Sequence, residues 1–385
     1  MSYDQETVAL CALNKIFGYH PRLASELLEK AGSASALFTQ PPLSARHPEL
    51  TAQLNPESLA WAQKELETLQ RQGFRFVPSG SKDYPALLAA CEDRPLGLYL
   101  NGSSPPEAIF APRLRVAIVG TRDPSPYGRS WCRRIVEVLA DAPRKPCIVS
   151  GLAFGADAVA HRAALDCGLP TIGVMATGIE RVYPWQHEHL AAEIVARPGC
   201  GLVTDYPSGT APVPLNFLRR NRIIAGLSDA VVVIESKTKG GSLMTARLAN
   251  DYGRDVYALP GRMDDVRSAG CLSLIREHMA EIVTTAEDLA GRLGAGPPVR
   301  GAGASWKSGK EGIQSALERH YGPSAAEITA LALAVHETQG IGPEALSERL
   351  GLPYSRVLEL IGRLEADGFL STDLLRRCSI VLRRV

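Results

Sequence analysis

Neither sign of charge dominates this 385-residue chain, in which 42 Lys+Arg stand against 41 Asp+Glu for a formal net charge of +1. A surface basic throughout is therefore excluded, and any nucleic-acid site must be a local patch. The eight cysteines are scattered without a CxxC pair, which argues against a zinc module or a disulfide framework and for reduced thiols in the cytosol. No apolar run approaches the ~20 residues of a membrane span, and the N-terminal MSYDQET is acidic and polar. Neither insertion nor secretion is expected, and the protein is placed in the cytoplasm. Neither GxGxxG nor the Walker lysine pattern occurs, so the usual dinucleotide and triphosphate sites are excluded and no cofactor is expected. The absence of a GxSxG elbow leaves hydrolase chemistry without a named nucleophile. His187 and His189 share an HxH spacing, but on a helix such side chains diverge and no third ligand is near, so no metal site is expected.

The length suggests two or three domains, and 45% hydrophobic residues fits an ordinary globular protein. Helical patterns over 6–13 and 22–31 are joined by Phe17-Gly18-Tyr19-His20-Pro21, with Gly32 placed to end the second. A further helix over 57–72 leads into an alternating strand at 74–77, so residues 1–75 read as a small all-helical domain. From 115 to 280 the pattern repeats: apolar strand, turn rich in Gly or Ser, helix. Strands are expected at 116–119, 147–149, 171–175, 202–204, 230–234 and 256–259, and helices at 127–140, 156–167, 187–196 and 243–252. That order specifies an α/β fold, a doubly wound Rossmann-like sheet whose ligands sit beyond the carboxyl ends of the strands. The stretch 294–312, dense in Gly and Pro, reads as a flexible linker. Beyond it Ser324 with Glu327 forms a capping-box pattern, and Pro343 suits a first helical turn. Gly351 suits a stop before a helix over 355–364, and strand-like pieces at 369–370 and 379–382 complete a winged helix-turn-helix over 313–385.

The functional face is expected around 204–250. Gly120-Thr121-Arg122 ends the first strand, where glycine lets backbone amides approach a phosphate and arginine can fork onto it. Ser150, Gly151 and Gly155 repeat the device at the second strand, with Asp157 able to cap its helix. His161, one turn further on, is read as structural. Phe217, Arg219, Arg220, Asn221 and Arg222 supply both an aromatic face for bases and cations for phosphates, the combination that holds single-stranded nucleic acid without reading sequence. The competing reading puts Phe217 in the core and pairs the arginines with neighbouring carboxylates. Lys237 and Lys239, in the loop after the fifth strand, favour an anionic polymer, and Gly241 and Ser242 open the helix that carries Thr245. On the terminal domain, Arg356, Glu359, Arg363 and Glu365 make a mixed-charge helix, which favours protein contact over duplex reading.

Taken with their order, the segments KDYPALL, LGLYLNG, GTRDPSPYG, SGLAFGADAVAH, TGIERVYP, DYPSGTAP, NFLRRNRIIAGLS, GGSLMTARLA, VYALPG and GCLSLIRE strongly resemble the DNA-processing protein A family, also called DprA or Smf. The resemblance implies an N-terminal sterile-alpha-motif-like (SAM-like) domain, an extended Rossmann core that binds single-stranded DNA, and a C-terminal winged helix. It also implies a homodimer through the core that hands incoming strands of natural transformation to the RecA recombinase, with no catalysis. Arg122 matches the arginine of the family's GSR turn, 217–222 its FPRRNR segment, and Gly241, Ser242 and Thr245 its SGSLxTA turn. Phe154 replaces a usual arginine, Leu218 a proline, His187 an asparagine and His278 the glycine after IRE. An exposed Phe154 would be able to stack on a base. The rival reading is a nucleotide-processing enzyme similar to the lysine-decarboxylase-like phosphoribohydrolases, whose PGGxGTxxE motif ends in a glutamate. Here Leu248 stands three residues after Thr245, without that carboxylate. A transcription regulator acting through the winged helix is a third.

Overall fold

The computed structural model describes residues 3–40, 47–296, 310–322, 326–338, 340–367, 369–373 and 377–380. Two compact units divide the chain, within 1–299 and within 300–385. Most of the expected linker, at 297–309, lies outside the described residues, as do Ser324 and 381–382.

The first unit begins with five helices: Gln5–Ile16 (α1), Pro21–Ala31 (α2), Ala34–Thr39 (α3), Pro48–Thr51 (α4) and Pro56–Arg71 (α5). Their limits are chemical. Asp4 accepts from the Thr7 amide, Ser33 from Ala36 and Asn55 from Ser58, while Gly32 closes α2 in the left-handed region at φ +79°. They do not stand apart from the sheet. Asn14 donates to the Asp205 carbonyl (2.8 Å), Tyr19 to Asn216 Oδ1 (2.8 Å), and Glu65 accepts from the Ser208 amide (2.8 Å).

A nine-stranded, mostly parallel sheet follows. It runs from Arg75–Pro78 (β1) through Ala86–Ala89 (α6), Gly97–Asn101 (β2) and Pro106–Ile109 (α7) to Arg115–Val119 (β3) and Pro126–Asp141 (α8). Next come Cys147–Ser150 (β4), Ala156–Asp166 (α9), Thr171–Val174 (β5), a short 3-10 turn at Trp185–His187, Glu188–Ala196 (α10) and Gly201–Thr204 (β6). Pro214–Gly226 (α11), Ala230–Val233 (β7), Gly241–Asp251 (α12), Asp255–Ala258 (β8), Ala269–Arg276 (α13), Glu281–Ile282 (β9) and Ala286–Arg292 (α14) complete it. The strand order is β1-β2-β6-β5-β4-β3-β7-β8-β9, with β1 and β2 antiparallel.

Every residue of β3 to β7 is buried, as strands covered by helices on both faces require. On one face Leu88, Ile223, Leu243 and Cys271 pack against the sheet; on the other Ile135, Ala160 and Leu289 do so. The chain leaves β3 for β4 on one side and returns to β7 on the other. Such a reversal of strand order opens a crevice at the carboxyl ends of the strands, here those of β3, β4 and β7.

The second unit holds Lys310–Tyr321 (α15), Ala326–Glu337 (α16), Pro343–Leu350 (α17), Tyr354–Ala366 (α18) and an antiparallel pair, Leu370–Thr372 (β10) with Cys378–Ile380 (β11). Pro343 starts α17 and Gly351 ends it at φ +62°, each in the place its backbone suits. Leu317, Leu331, Val335, Leu346, Val357 and Leu364 form its core. Among the described residues no helix is long and apolar enough to cross a membrane.

Candidate nucleic-acid interface

Three strand-to-helix turns meet at the crevice, and two are filled by the chain itself. After β3, the Thr121 amide donates to the Glu235 carbonyl (2.7 Å). The buried Glu235 carboxylate accepts from the Ser125 amide (2.8 Å) and hydroxyl (2.5 Å) at the start of α8. Gly128 makes room for it, since a Cβ there would lie 2.5 Å from Glu235 Oε2. After β4, buried Asp157 accepts from the Gly151 (3.1 Å) and Ala153 (3.3 Å) amides. Burial raises the Asp157 pKa from its ordinary value although Arg220 and those amides pull it down. The expectation that the turns after β3 and β4 offer free amides is thereby corrected at Thr121, Gly151 and Ala153, whose amides are taken by the Glu235 carbonyl and the Asp157 carboxylate.

The turn after β7 differs. Gly240 donates to the Lys237 carbonyl (3.0 Å), Ser242 Oγ donates to Ser236 Oγ (2.9 Å), and α12 has no side-chain cap. A Cβ on Gly241 would meet nothing within 4 Å. Lys237 and Lys239 are exposed, whereas Thr245 is buried within α12.

The 217–222 segment on α11 does not present three arginines to solvent. Arg220 is buried and donates to the carbonyls of Gly151 and Val174, beyond and at the ends of β4 and β5. Buried Arg222 pairs with Asp205 and donates to the Asp93 carbonyl. Burial opposes its charge, but Asp205, Asp93 and two tyrosines outweigh it and the net pKa shift is upward. Arg219 donates to the carbonyls of Tyr19 (3.0 Å) and Gly18, with its guanidinium 4.3 Å from the Tyr19 ring. Asn221 Nδ2 donates to the Gly241 carbonyl (3.3 Å), and buried Ser150 donates to Ile118 (2.6 Å). The physical reason is a surplus of acceptors: parallel strands end in carbonyls that the sheet does not use, and arginine has five donors to satisfy them. His161 is also internal. Thr171 donates to the Ile148 carbonyl (2.9 Å), so its hydroxyl oxygen accepts from His161 Nδ1 (2.7 Å), and burial lowers the imidazole pKa to about 3.

What reaches the surface is an exposed cation among rings. The Arg122 guanidinium lies 5.6 Å from the centroid of half-buried Phe217, whose ring is 5.3 Å from that of exposed Tyr183. Gly155, at φ +79°, packs against the backbone of Thr121 and Arg122, where a Cβ would come within 2.4 Å. That contact joins the turns of β3 and β4. Tyr183 and Trp185 were missed in the sequence, where the only signal was their place in one loop with Pro184. Rings beside a cation can take unstacked bases on their faces and phosphate on the guanidinium.

The model of the family "DNA recombination-mediator protein A" matches residues 75–294, which contain the sheet and its crevice. Protein Smf of Synechocystis is 40% identical over 233 residues, covering 60% of this chain and 57% of that one. Protein Smf of Escherichia coli is 38% identical over 248 residues, covering 63% and 64%. The chain thus spans less than two thirds of these two relatives, while a putative DNA processing protein DprA of Mycobacterium tuberculosis is 36% identical over 314 residues, covering 77% and 78%. Among solved structures, DNA processing protein A from Streptococcus pneumoniae is 30% identical with a TM-score of 0.57, covering 73% of this chain and 92% of that one. The Helicobacter pylori protein, solved for its single-stranded DNA binding mode, is 28% identical with a TM-score of 0.50, covering 57% and 95%. With the whole sheet and all three turns inside the matched region, the chain belongs to the DNA recombination-mediator protein A family, the DprA and Smf proteins.

Proposed function

We propose that the protein binds single-stranded DNA in natural transformation, protects the incoming strand and passes it to the RecA recombinase, without catalysing a reaction. The observation that carries this reading is the exposed Arg122 guanidinium over Phe217, with Tyr183 against the same ring. A strand laid across it has its phosphate met by Arg122 and a base by Phe217. Lys237, Lys239 and the open start of α12 at Gly241 and Ser242 extend the cationic side. Gly120, Thr121, Ser150, Gly151, Arg219, Arg220, Asn221, Arg222 and Thr245 act from behind, by holding the turns and α11 in place. The Helicobacter pylori relative supports the ligand class.

The same proposal carries a homodimer through the core, residues 1–75 as a SAM-like domain and 313–385 as a winged helix. In the second unit Arg356 pairs with Glu327 and Glu359, and Arg363 lies 4.9 Å from the Tyr321 ring. Cations spent on their own unit suit protein contact better than a duplex backbone. Against the phosphoribohydrolase rival, α12 carries Leu248 where that motif needs a carboxylate. Glu235 is buried, with its carboxylate accepting from the Ser125 amide and hydroxyl.

Fluorescence anisotropy of labelled oligo-dT, with unlabelled duplex as competitor across a salt series, tests the reading. Tight binding that duplex barely displaces, and that Arg122→Ala weakens roughly tenfold while lowering the salt slope by about one, is expected. No binding by wild type at moderate salt, or binding indifferent to Arg122, overturns the site.

A further inference from the structure

Phe154 and Trp185 are large aromatic side chains left exposed at the surface. Phe154 is 40% and Trp185 69% exposed. Their neighbours are nonetheless fixed. The Phe154 ring meets His187 edge-on at 4.9 Å, and His187 Nδ1 donates to the Leu152 carbonyl (2.8 Å). Leu152 is held at φ +56°, a region that costs a non-glycine residue free energy and is kept only where surroundings impose it. The loop 183–187 therefore touches both ends of one surface: Tyr183 lies against Phe217, His187 against Phe154, and Trp185 stands between them in the loop.

These contacts close a circuit. Arg122 lies over Phe217, Phe217 against Tyr183, His187 against Phe154, and Gly155 returns beneath the Arg122 backbone. The floor is the 151–153 backbone, tied from below by Arg220 through the Gly151 carbonyl. Arg181, exposed, precedes the aromatic loop, and exposed Glu188 follows it. A rim of ring faces with cations at its edge, over a backbone floor, fits a chain of bases carrying a phosphate backbone better than a protein side-chain array.

We propose that Phe154 and Trp185, positioned by His187, form a second base-stacking station on the path of the strand whose first station is Arg122 and Phe217. This rests on the single-strand reading above. Stacking is apolar, so the station adds affinity without adding salt dependence, in contrast to Arg122.

Two measurements on the full chain test it, with labelled oligo-dT as the probe. Phe154→Ala is expected to weaken binding by roughly 5- to 150-fold, the range for losing one stacked base, by the same factor at every salt concentration, with Phe154→Tyr restoring it. Tryptophan emission of wild type is expected to be quenched on saturation, and Trp185→Phe to lose that quench while the other three tryptophans, Trp61, Trp131 and Trp306, remain. Phe154→Ala binding like wild type, failed rescue by Phe154→Tyr, or a quench surviving in Trp185→Phe overturns the second station. If Arg122→Ala still weakens binding in that case, the first station stands alone; if wild type binds no single strand, both readings fall together.

Discussion

The turns after β3 and after β7 lie at the same end of one sheet, both contain glycine, and treat their amides in opposite ways. At the first, Ser125 and the Glu235 carboxylate fill the start of α8, and Gly128 is small because that carboxylate needs the space. At the second, α12 starts uncapped, Gly241 borders open space, and Lys237 and Lys239 stand exposed nearby. Glycine in a strand-to-helix turn is therefore ambiguous. It makes room, and only the structure says whether the chain or a ligand takes the room. The same division runs through α11, where Phe217 faces the rim while Arg220 and Arg222 satisfy carbonyls and a carboxylate inside.

Breaking the sealed side is expected to give the largest effect. Arg222→Ala strands the Asp205 carboxylate, which is buried and has Arg222 as its ion-pair partner. Losing one member of a buried pair costs about 3–5 kcal/mol, to be read as a lower urea midpoint. Removing both charges with Arg222→Met and Asp205→Leu is expected to recover much of that loss, because no uncompensated charge remains. If Arg222→Ala is as stable as wild type, the view of α11 as an internally neutralised helix fails.

A second change converts the sealed turn into a copy of the open one. Glu235→Ala removes the acceptor of the Ser125 amide and hydroxyl, a loss of about 1–3 kcal/mol for a buried group left unmade. It also uncovers a helix start able to bind an anion. Sulfate is then expected to raise the thermal midpoint of Glu235→Ala more than that of wild type. Equal sulfate responses would show that the carboxylate does not occupy an anion position, and the contrast between the two turns would lose its basis.

Much of the sheet was legible because its signal is local. The six core strands are largely apolar, and the expected limits lie within about one residue of those observed for each. Gly97–Asn101 was not read as a strand, because nothing within LGLYLN shows that it lies antiparallel between β1 and β6. Glu281–Ile282 is two exposed residues long and carries no period to read. The competing reading pairs the arginines with neighbouring carboxylates, as Arg222 does with Asp205, but the carbonyl partners of Arg220 and Arg222 were illegible for another reason. Their acceptors include main-chain carbonyls of Gly151, Val174 and Asp93, and sequence does not mark a carbonyl as unpaired. Phe154 stood out as the replacement of an arginine usual in the family, able to stack on a base if exposed, but Trp185 did not, since its meaning comes from the rings on either side.

The smallest expected effect concerns a glycine that is absent. α13 ends with His278 at φ +57°, its amide donating to Ile275 (3.1 Å) and the Met279 amide to Leu274 (2.9 Å). This is the helix stop that glycine usually makes. The left-handed conformation costs an L-residue roughly 1–2 kcal/mol, whereas glycine gives back about 0.4–1 kcal/mol through its freer unfolded chain. His278 is exposed, so no packing is lost with its ring. His278→Gly is therefore expected to raise the unfolding free energy by up to roughly 1.6 kcal/mol, seen as a higher urea midpoint with an unchanged slope. The crevice lies elsewhere, so oligo-dT affinity should not move. A lower midpoint would mean that the imidazole holds something in place, and that at this turn, unlike the turn at Gly128, the side chain outweighs the backbone.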